Sequence, residues 1–103
     1  MYIYLSNGFY FGFVSNGFLY SRDGVCLGWI EGVYVWDMEG KFRGNVVEIT
    51  GKADSKYILR KRFGLPPISR PPKGSMDPIT PITPPSNIKP IDLQVDVIDA
   101  FTQ

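Results

Sequence analysis

The chain has 103 residues, a formal net charge of +1, one cysteine and no histidine. A chain of this size supports one small domain, and the limited surface that such a domain buries makes oligomerisation a natural source of extra stability. The single cysteine excludes an internal disulfide, and the lack of histidine excludes histidine-based zinc sites and imidazole acid–base catalysis.

The first fifty residues carry a repeat of sixteen residues. Two glycine sets and one aromatic set mark it at that spacing: Gly8, Gly24 and Gly40; Gly12, Gly28 and Gly44; Tyr4, Tyr20 and Trp36. The residues between the glycines are mostly aromatic or β-branched, which is typical of strands, whereas a helix here would contain a glycine every turn or two, at about 1 kcal/mol each. We predict an all-β, antiparallel meander of short hairpin units, each dependent on its neighbours for burial.

Pairs of an acid or amide residue and a glycine break the apolar runs, at 7–8, 16–17, 23–24, 31–32 and 39–40. Such pairs favour type I′ hairpin turns, which need positive φ at both central positions. We therefore predict five such turns, with strands near 1–6, 9–15, 18–22, 25–30, 33–38, 41–50 and 56–62. The second glycine set lies inside the strands and predicts a kink in every unit, which curves the sheet toward closure. That closure is either quasi-four-fold within the chain or completed by oligomerisation.

Several short motifs follow one another in a characteristic order. They are YSRDG at 20–24, GWIEG at 28–32, VWDMEG at 35–40, YILR at 57–60 and GLPP at 64–67. In these residues, over about 1–70, the chain resembles the four-fold β-flower proteins, a family of small bacterial proteins. The resemblance implies a β fold with four petal-like units, and it implies no catalytic residue, cofactor or substrate.

The fourth unit departs from the pattern, because the sixteen-residue count from Trp36 reaches Lys52 and the aromatic residue appears only at Tyr57. Either 50–55 is an insertion or another part of the chain completes the fourth petal. All nine prolines lie between Pro66 and Pro90. We predict a β-repeat domain over 1–65, a proline-rich arm over 66–90 and a C-terminal strand over 91–103.

Both faces of the predicted strands are apolar. One face can pack on the domain's own core and the other on a second subunit or on the tail, which predicts a homo-oligomer, with a tetramer or dimer favoured. The candidate interface residues are Phe9, Phe11, Phe13, Trp29, Ile79, Ile82, Leu93 and Val95. The alternative is a tightly closed small barrel with some aromatic residues left at its surface.

The arm has a spacing of three residues at Pro78, Pro81 and Pro84. A polyproline II helix has three residues per turn, so these prolines share one edge and the isoleucines at 79 and 82 share the next. Such a rod can cross onto a neighbouring subunit. It can also serve a protein partner with an aromatic groove, although Asp77 stands where the flanking basic residue of such ligands is usual.

Apolar and polar residues alternate from Ile91 to Val97, which predicts a half-exposed strand with an acidic outer face. We expect it to add to the basic strand at 56–62, in cis or swapped between subunits. A helical alternative places Leu93, Val97, Ile98 and Phe101 on one face.

Seven basic residues and one acid lie between Lys52 and Lys73. One interpretation is a nucleic-acid contact with Tyr57 and Phe63 as stacking platforms. We favour two other interpretations: the basic residues keep an edge strand soluble, or they pair with the acidic tail. Nucleic acid is therefore not an expected partner.

No nucleophile with a base, phosphate-binding loop or metal-ligand cluster is visible, so we expect no catalytic residue, cofactor site or metal site. Cys26 is expected to be a small buried hydrophobe. The N-terminus lacks signal-peptide features and no apolar run reaches membrane-span length, which indicates the cytoplasm. We predict a non-enzymatic structural or protein-interaction module. The alternative is a carbohydrate- or choline-type ligand-binding repeat that presents aromatic rings such as Trp29 and Trp36.

Overall fold

A computed structural model describes residues 1–63, 67, 69–74 and 76–102 of the chain. Those residues form eight strands and no helix, so the predicted all-β class is confirmed. The strands are β1 (Tyr2–Tyr4), β2 (Tyr10–Ser15), β3 (Phe18–Ser21), β4 (Cys26–Glu31), β5 (Tyr34–Asp37), β6 (Phe42–Ile49), β7 (Lys52–Lys61) and β8 (Val97–Asp99). The predicted boundary near Leu65, together with Pro66, lies outside the described residues.

The sheet closes within a single chain. Each strand from β1 to β7 pairs antiparallel with the next, and β1 also pairs in parallel with β7, with Tyr2 opposite Ser55 and Tyr4 opposite Tyr57. This second pairing turns the seven-stranded meander into a barrel without help from another subunit. β8 adds to the remaining part of β7, antiparallel, with Leu59 opposite Asp99.

The long strand β7 explains why the chain's two ends meet. One edge of β7 pairs with β6, and the other is shared, because β1 takes residues 55–57 and β8 takes residues 59–61. The C-terminal strand, predicted over 91–103, adds to the strand predicted near 56–62, but it spans only Val97–Asp99, and the alternating residues from Ile91 to Asp96 lie outside it. Val95, a candidate interface residue, is 93% exposed.

The strand predicted at 56–62 begins earlier, at Lys52. The register between β6 and β7 shifts after Glu48, which lies opposite Lys56, so that Ile49 lies opposite Lys52. Three residues of β7 therefore bulge, and 53–55, within the segment considered as an insertion, is strand.

The prediction of five type I′ turns is wrong in four cases. Only Asn16 and Gly17 have positive φ at both central positions. At Gly32 the glycine takes the first central position, which is the type II′ arrangement. Gly8, Gly24 and Gly40 each take the last position of a four-residue turn, in which the glycine N–H donates to the carbonyl three residues earlier. These three turns are called the glycine turns below.

The barrel interior is narrow, and apart from two phenylalanines it is aliphatic. Its core cluster consists of Ile3, Leu5, Phe11, Leu19, Val35, Ile58, Ala100 and Phe101. The strands approach so closely here that a Cβ atom at Gly28 would collide with the carbonyl oxygen of Trp36 on the neighbouring strand. The residue just before this glycine, Leu27, has no partner on β3, because the register shifts between Leu19 and Tyr20.

Candidate interaction surface

The outer face of the barrel carries a belt of aromatic rings. Cross-strand neighbours stack in pairs, Phe13 on Tyr20 with ring centroids 5.5 Å apart and Trp29 on Trp36 with centroids 6.3 Å apart. The other members of this aromatic belt are Tyr2, Tyr4, Tyr10, Tyr34, Phe42 and Tyr57. Although the belt faces outward, Trp29 is 3% and Trp36 is 2% exposed. Another part of the chain must cover it.

The cover is the proline-rich segment, residues 69–74 and 76–91, called the strap below. It runs past the three glycine turns in reverse order and donates one backbone N–H to each. Arg70 N–H donates to the Gly40 carbonyl (2.9 Å), Ile79 N–H to Gly24 (3.0 Å) and Ile88 N–H to Gly8 (2.8 Å). The donors are nine residues apart in the strap, and the acceptors are sixteen residues apart in the barrel. The two spacings differ, yet each donor lies opposite one acceptor.

Glycine is needed twice over at these acceptors. Gly24 has φ +87°, a conformation that L side chains rarely adopt, and a Cβ atom there would also collide with the Ile79 carbonyl oxygen. Gly40 and Gly8 meet the carbonyls of Arg70 and Ile88 in the same way. In contrast, Gly17 has φ +80° and open space around it. Strap contact therefore distinguishes the glycine turns from the turns at the other end of the strands.

Two strap cations lie over the tryptophan pair. The Arg70 guanidinium is 5.1 Å from the Trp36 ring centroid, and the Lys73 ammonium is 5.0 Å from that of Trp29. Glu31 links Trp29 to Arg70, because its carboxylate accepts the Trp29 indole N–H (3.1 Å) and pairs with the Arg70 guanidinium (3.2 Å). Cations over ring faces are attracted by the quadrupole of the rings. The strap is thus held by electrostatics as well as by backbone hydrogen bonds.

The strap covers the tyrosine part of the belt through polar contacts. The Tyr4 hydroxyl donates to the Ser86 carbonyl (2.9 Å), and the Asn87 side-chain oxygen accepts the Tyr10 N–H (3.2 Å). Burial raises the pKa of Tyr10 to about 12, with Tyr2 adding to this and the Arg22 guanidinium opposing it. Burial likewise raises the pKa of Tyr4 and Tyr57.

The C-terminal residues fasten the end of the strap to the start of the chain. The Asp99 carboxylate accepts two hydrogen bonds from Ser6, one from its N–H (2.9 Å) and one from its hydroxyl (2.6 Å). Phe101 enters the interior core against Phe11, and the Arg43 guanidinium lies 4.2 Å from the Phe101 ring centroid. Arg43 also donates to the Ala100 carbonyl (3.0 Å).

The residues predicted for an interface lie in different environments. Phe11, Phe13 and Trp29 are buried within the chain, and Phe9 is 48% exposed. In the strap, Ile79 is half-buried beside Gly24 and Ile82 is exposed. Leu93 is half-buried. Of the predicted repeat residues, Tyr4, Tyr20 and Trp36 all belong to the aromatic belt.

A groove of about 650 Å³ interrupts the belt over β5, β6 and β7. Tyr34, Asn45, Val47, Leu59, Lys61 and Phe63 are among its lining residues. Tyr34 is 43% and Phe63 is 78% exposed. Arg60, Lys61 and Arg62 are also among the residues that line it.

Other candidate chemistry is limited in the described part of the chain. Cys26 is half-buried, and burial raises the pKa of its thiol, which favours the unreactive protonated form. No group of acidic and cysteine side chains that could hold a metal ion occurs among the described residues. None of the described residues forms a helix of the length and apolarity needed to cross a membrane.

Sequence reasoning missed the residues that hold the strap, above all Arg70, Lys73 and Asp99. A signal was present, because Arg70, Ile79 and Ile88 each precede a proline by two residues, at Pro72, Pro81 and Pro90. The polyproline II prediction rests on a different spacing, of three residues between prolines, and did not reveal this nine-residue period.

Comparison with known proteins supports the relationship that the motifs indicate. No curated protein and no solved structure matches the chain. The family model described as 4-fold beta flower protein matches residues 1–93, a span that includes both the barrel and the strap. The chain therefore belongs to the 4-fold beta flower protein family.

Proposed function

We propose that this protein is a non-enzymatic structural and protein-interaction module that assembles through its strap. The observation that carries the proposal is the docking of Arg70, Ile79 and Ile88 on three equivalent glycine turns by backbone hydrogen bonds. The group recognised at each turn is the main-chain carbonyl of a glycine, as in other modes in which an extended peptide adds to a folded domain through main-chain hydrogen bonds.

We infer that the acceptors recur because the chain is built from four hairpin units, β1–β2, β3–β4, β5–β6 and β7–β8, of which the last adds β8 to the seven-stranded barrel. Register shifts in the first three units leave Phe11, Leu27 and Arg43 unopposed, sixteen residues apart, and each directly precedes a strand glycine. In the fourth unit the strap replaces the glycine turn as the connection between the strands. The strap is thus an enlarged turn that returns over the other three units.

A connection of this length permits exchange between copies. The hydrogen bonds from the strap are the same whether the acceptor turns belong to its own barrel or to another, so only the connecting segment decides which barrel is bound. Exchange of straps gives the dimer or tetramer that the sequence favours. The same acceptor turns offer a binding site for a proline-rich segment of a partner protein.

Mass in solution tests this proposal. Multi-angle light scattering over a hundredfold range of concentration should show dimers or tetramers that become more abundant as concentration rises. Gly24→Ala weakens one acceptor turn, so it should change the ratio of oligomer to monomer. The matched change Gly17→Ala, at an open turn, should change that ratio less. A constant mass of 11.6 kDa at every concentration would contradict assembly.

A carbohydrate- or choline-type ligand-binding function is the second candidate. The positions of Arg70 and Lys73 favour its cationic form, because they place positive groups on the rings of Trp36 and Trp29. A quaternary ammonium ligand would have to displace the strap from these rings. Tryptophan fluorescence across a panel of glycans and choline separates the two functions, since an interaction module should respond to none of them.

A further inference from the structure

Three consecutive cations, Arg60, Lys61 and Arg62, have no structural explanation within the fold. They do not protect a bare sheet edge, because β7 pairs with β6 on one side and with β1 and β8 on the other. They form no ion pair with any residue that the structure describes. Asp99, opposite Leu59, is engaged by Ser6. Asp96 lies beside Arg62 and accepts its N–H through the backbone carbonyl, but its carboxylate forms no ion pair with a described residue. Neither expected role, protection of an edge strand or pairing with the acidic tail, therefore accounts for these charges.

The groove beside these cations exists because the aromatic repeat fails there. Phe13 and Trp29 occupy equivalent positions in the first two units and complete the stacked pairs. Sixteen residues after Trp29 the chain has Asn45, which lies between Tyr34 and Leu59 in the sheet. The smaller side chain leaves the ring of Tyr34 partly exposed. Phe63 extends the aromatic surface at the end of β7.

We propose that this groove binds single-stranded nucleic acid. The cations at 60–62 contact phosphates, and the exposed rings of Tyr34 and Phe63 stack on bases. The Asn45 amide offers both hydrogen-bond donors and an acceptor to a base edge. A basic track beside exposed aromatic faces is the combination that single-strand binding proteins use, and it needs no sequence-specific readout.

Other occupants fit the groove less well. A second copy that docked groove to groove would bring two sets of three cations together, which like-charge repulsion opposes. An acidic peptide would satisfy the cations, but it would leave the solvent-exposed Phe63 ring without a role. The aromatic contribution therefore distinguishes nucleic acid from an acidic protein partner.

Fluorescence anisotropy with a labelled oligothymidine of about ten nucleotides tests the proposal on the full chain. The wild-type protein should bind it, more weakly as salt increases. The triple variant Arg60→Gln, Lys61→Gln, Arg62→Gln should bind about tenfold more weakly or worse, and its slope of log affinity against log salt should be shallower by about 2. The matched triple variant Lys41→Gln, Lys52→Gln, Lys89→Gln loses the same charge away from the groove and should bind within about twofold of the wild type.

The stacking role is tested by Phe63→Ser, with Phe9→Ser as the control at another exposed aromatic residue. Urea unfolding midpoints verify that both variants fold. Phe63→Ser should weaken binding about fivefold or more, and Phe9→Ser should not. The proposal is overturned if the wild type does not bind at low salt, or if both triple variants lose affinity equally. It is also overturned if Phe63→Ser binds normally while polyglutamate displaces the oligonucleotide, which would assign the groove to an acidic protein.

Discussion

At the scale of single residues, the glycine turns carry two constraints that substitution can separate. Gly24 and Gly17 share nearly the same positive φ, at +87° and +80°, but only Gly24 touches the strap. Gly17→Ala should lower the free energy of unfolding by about 1–2 kcal/mol, the cost of left-handed backbone with a Cβ atom. Gly24→Ala should cost about 1 kcal/mol more, because the hydrogen bond from Ile79 is strained or lost. Urea denaturation measures both.

Equal losses for the two variants would mean that the contact with Ile79 adds nothing to stability. The comparison is informative because the two glycines have similar positive φ although their turns differ, so that the main added feature at Gly24 is its contact with Ile79. Gly32→Ala, also at an open turn with φ +62°, provides a second control.

Ionisation of Tyr10 should lower the free energy of unfolding at alkaline pH. Its pKa is raised to about 12 from an ordinary value of 10, chiefly by burial, so the folded state favours the neutral phenol. The resulting stabilisation is complete below about pH 10 and is lost as pH rises towards about 12. In urea titrations Tyr10→Phe should lose less stability over this interval than the wild type. Parallel losses in the two proteins would show that other groups, such as the lysines, cause the effect.

At the scale of elements, the strap should be loosened by removal of its cations. Arg70→Gln and Lys73→Gln each remove a positive group from a tryptophan face, at a cost of about 0.5–1 kcal/mol. Acrylamide should quench tryptophan fluorescence more strongly in both variants, because Trp29 and Trp36 are the two tryptophans of the chain. Lys89→Gln, elsewhere on the strap, should leave quenching unchanged. If it raises quenching as much, the cations act only through net charge.

β8 should depend on the contact between Asp99 and Ser6. Asp99→Ala removes two hydrogen bonds to a carboxylate, and hydrogen bonds to charged groups contribute about 1.5–3 kcal/mol each. Because the site is only partly buried, we expect a total loss near 2 kcal/mol in thermal or urea unfolding. Asp92→Ala, at an exposed carboxylate, is the matched control. A loss below about 0.5 kcal/mol for Asp99→Ala would show that the chain ends are held by other contacts.

The sequence allowed the all-β class and the order of the first seven strands to be predicted. Short apolar runs that are separated by glycine pairs are compatible with few structures other than an antiparallel meander. The sequence could not specify turn types, since Asp23–Gly24 and Glu39–Gly40 fit a two-residue type I′ loop. The loops that form have three residues, and the Ser21 hydroxyl and the Asp37 carboxylate accept backbone N–H groups within them. Sequence reasoning made the terminal strand too long because residues 91–97 alternate perfectly, whereas the space left on β7 is set by β1, far away in sequence. The groove was invisible because it arises where a repeated ring is replaced by Asn45.

At the scale of the whole molecule, the fold has a narrow, mostly aliphatic interior, an aromatic exterior and a strap that covers much of that exterior. A small barrel whose two faces are both apolar is unstable in water unless something covers the outer face. Cover supplied by the same chain explains how a single copy can bury Trp29 and Trp36. The proposed assembly would use the same surface, because a strap that leaves its own barrel exposes a surface that another strap can cover.

Amide hydrogen exchange by NMR is the most direct test of the docked strap. If the account is correct, the amides of Arg70, Ile79 and Ile88 exchange slowly, as does that of Ile91, which donates to the Ser6 carbonyl. Neighbours such as Lys73, Thr80 and Lys89, which donate to no described acceptor, exchange at rates near those of an unfolded chain. Uniformly fast exchange from residue 69 to residue 91, with the barrel amides still protected, would contradict it.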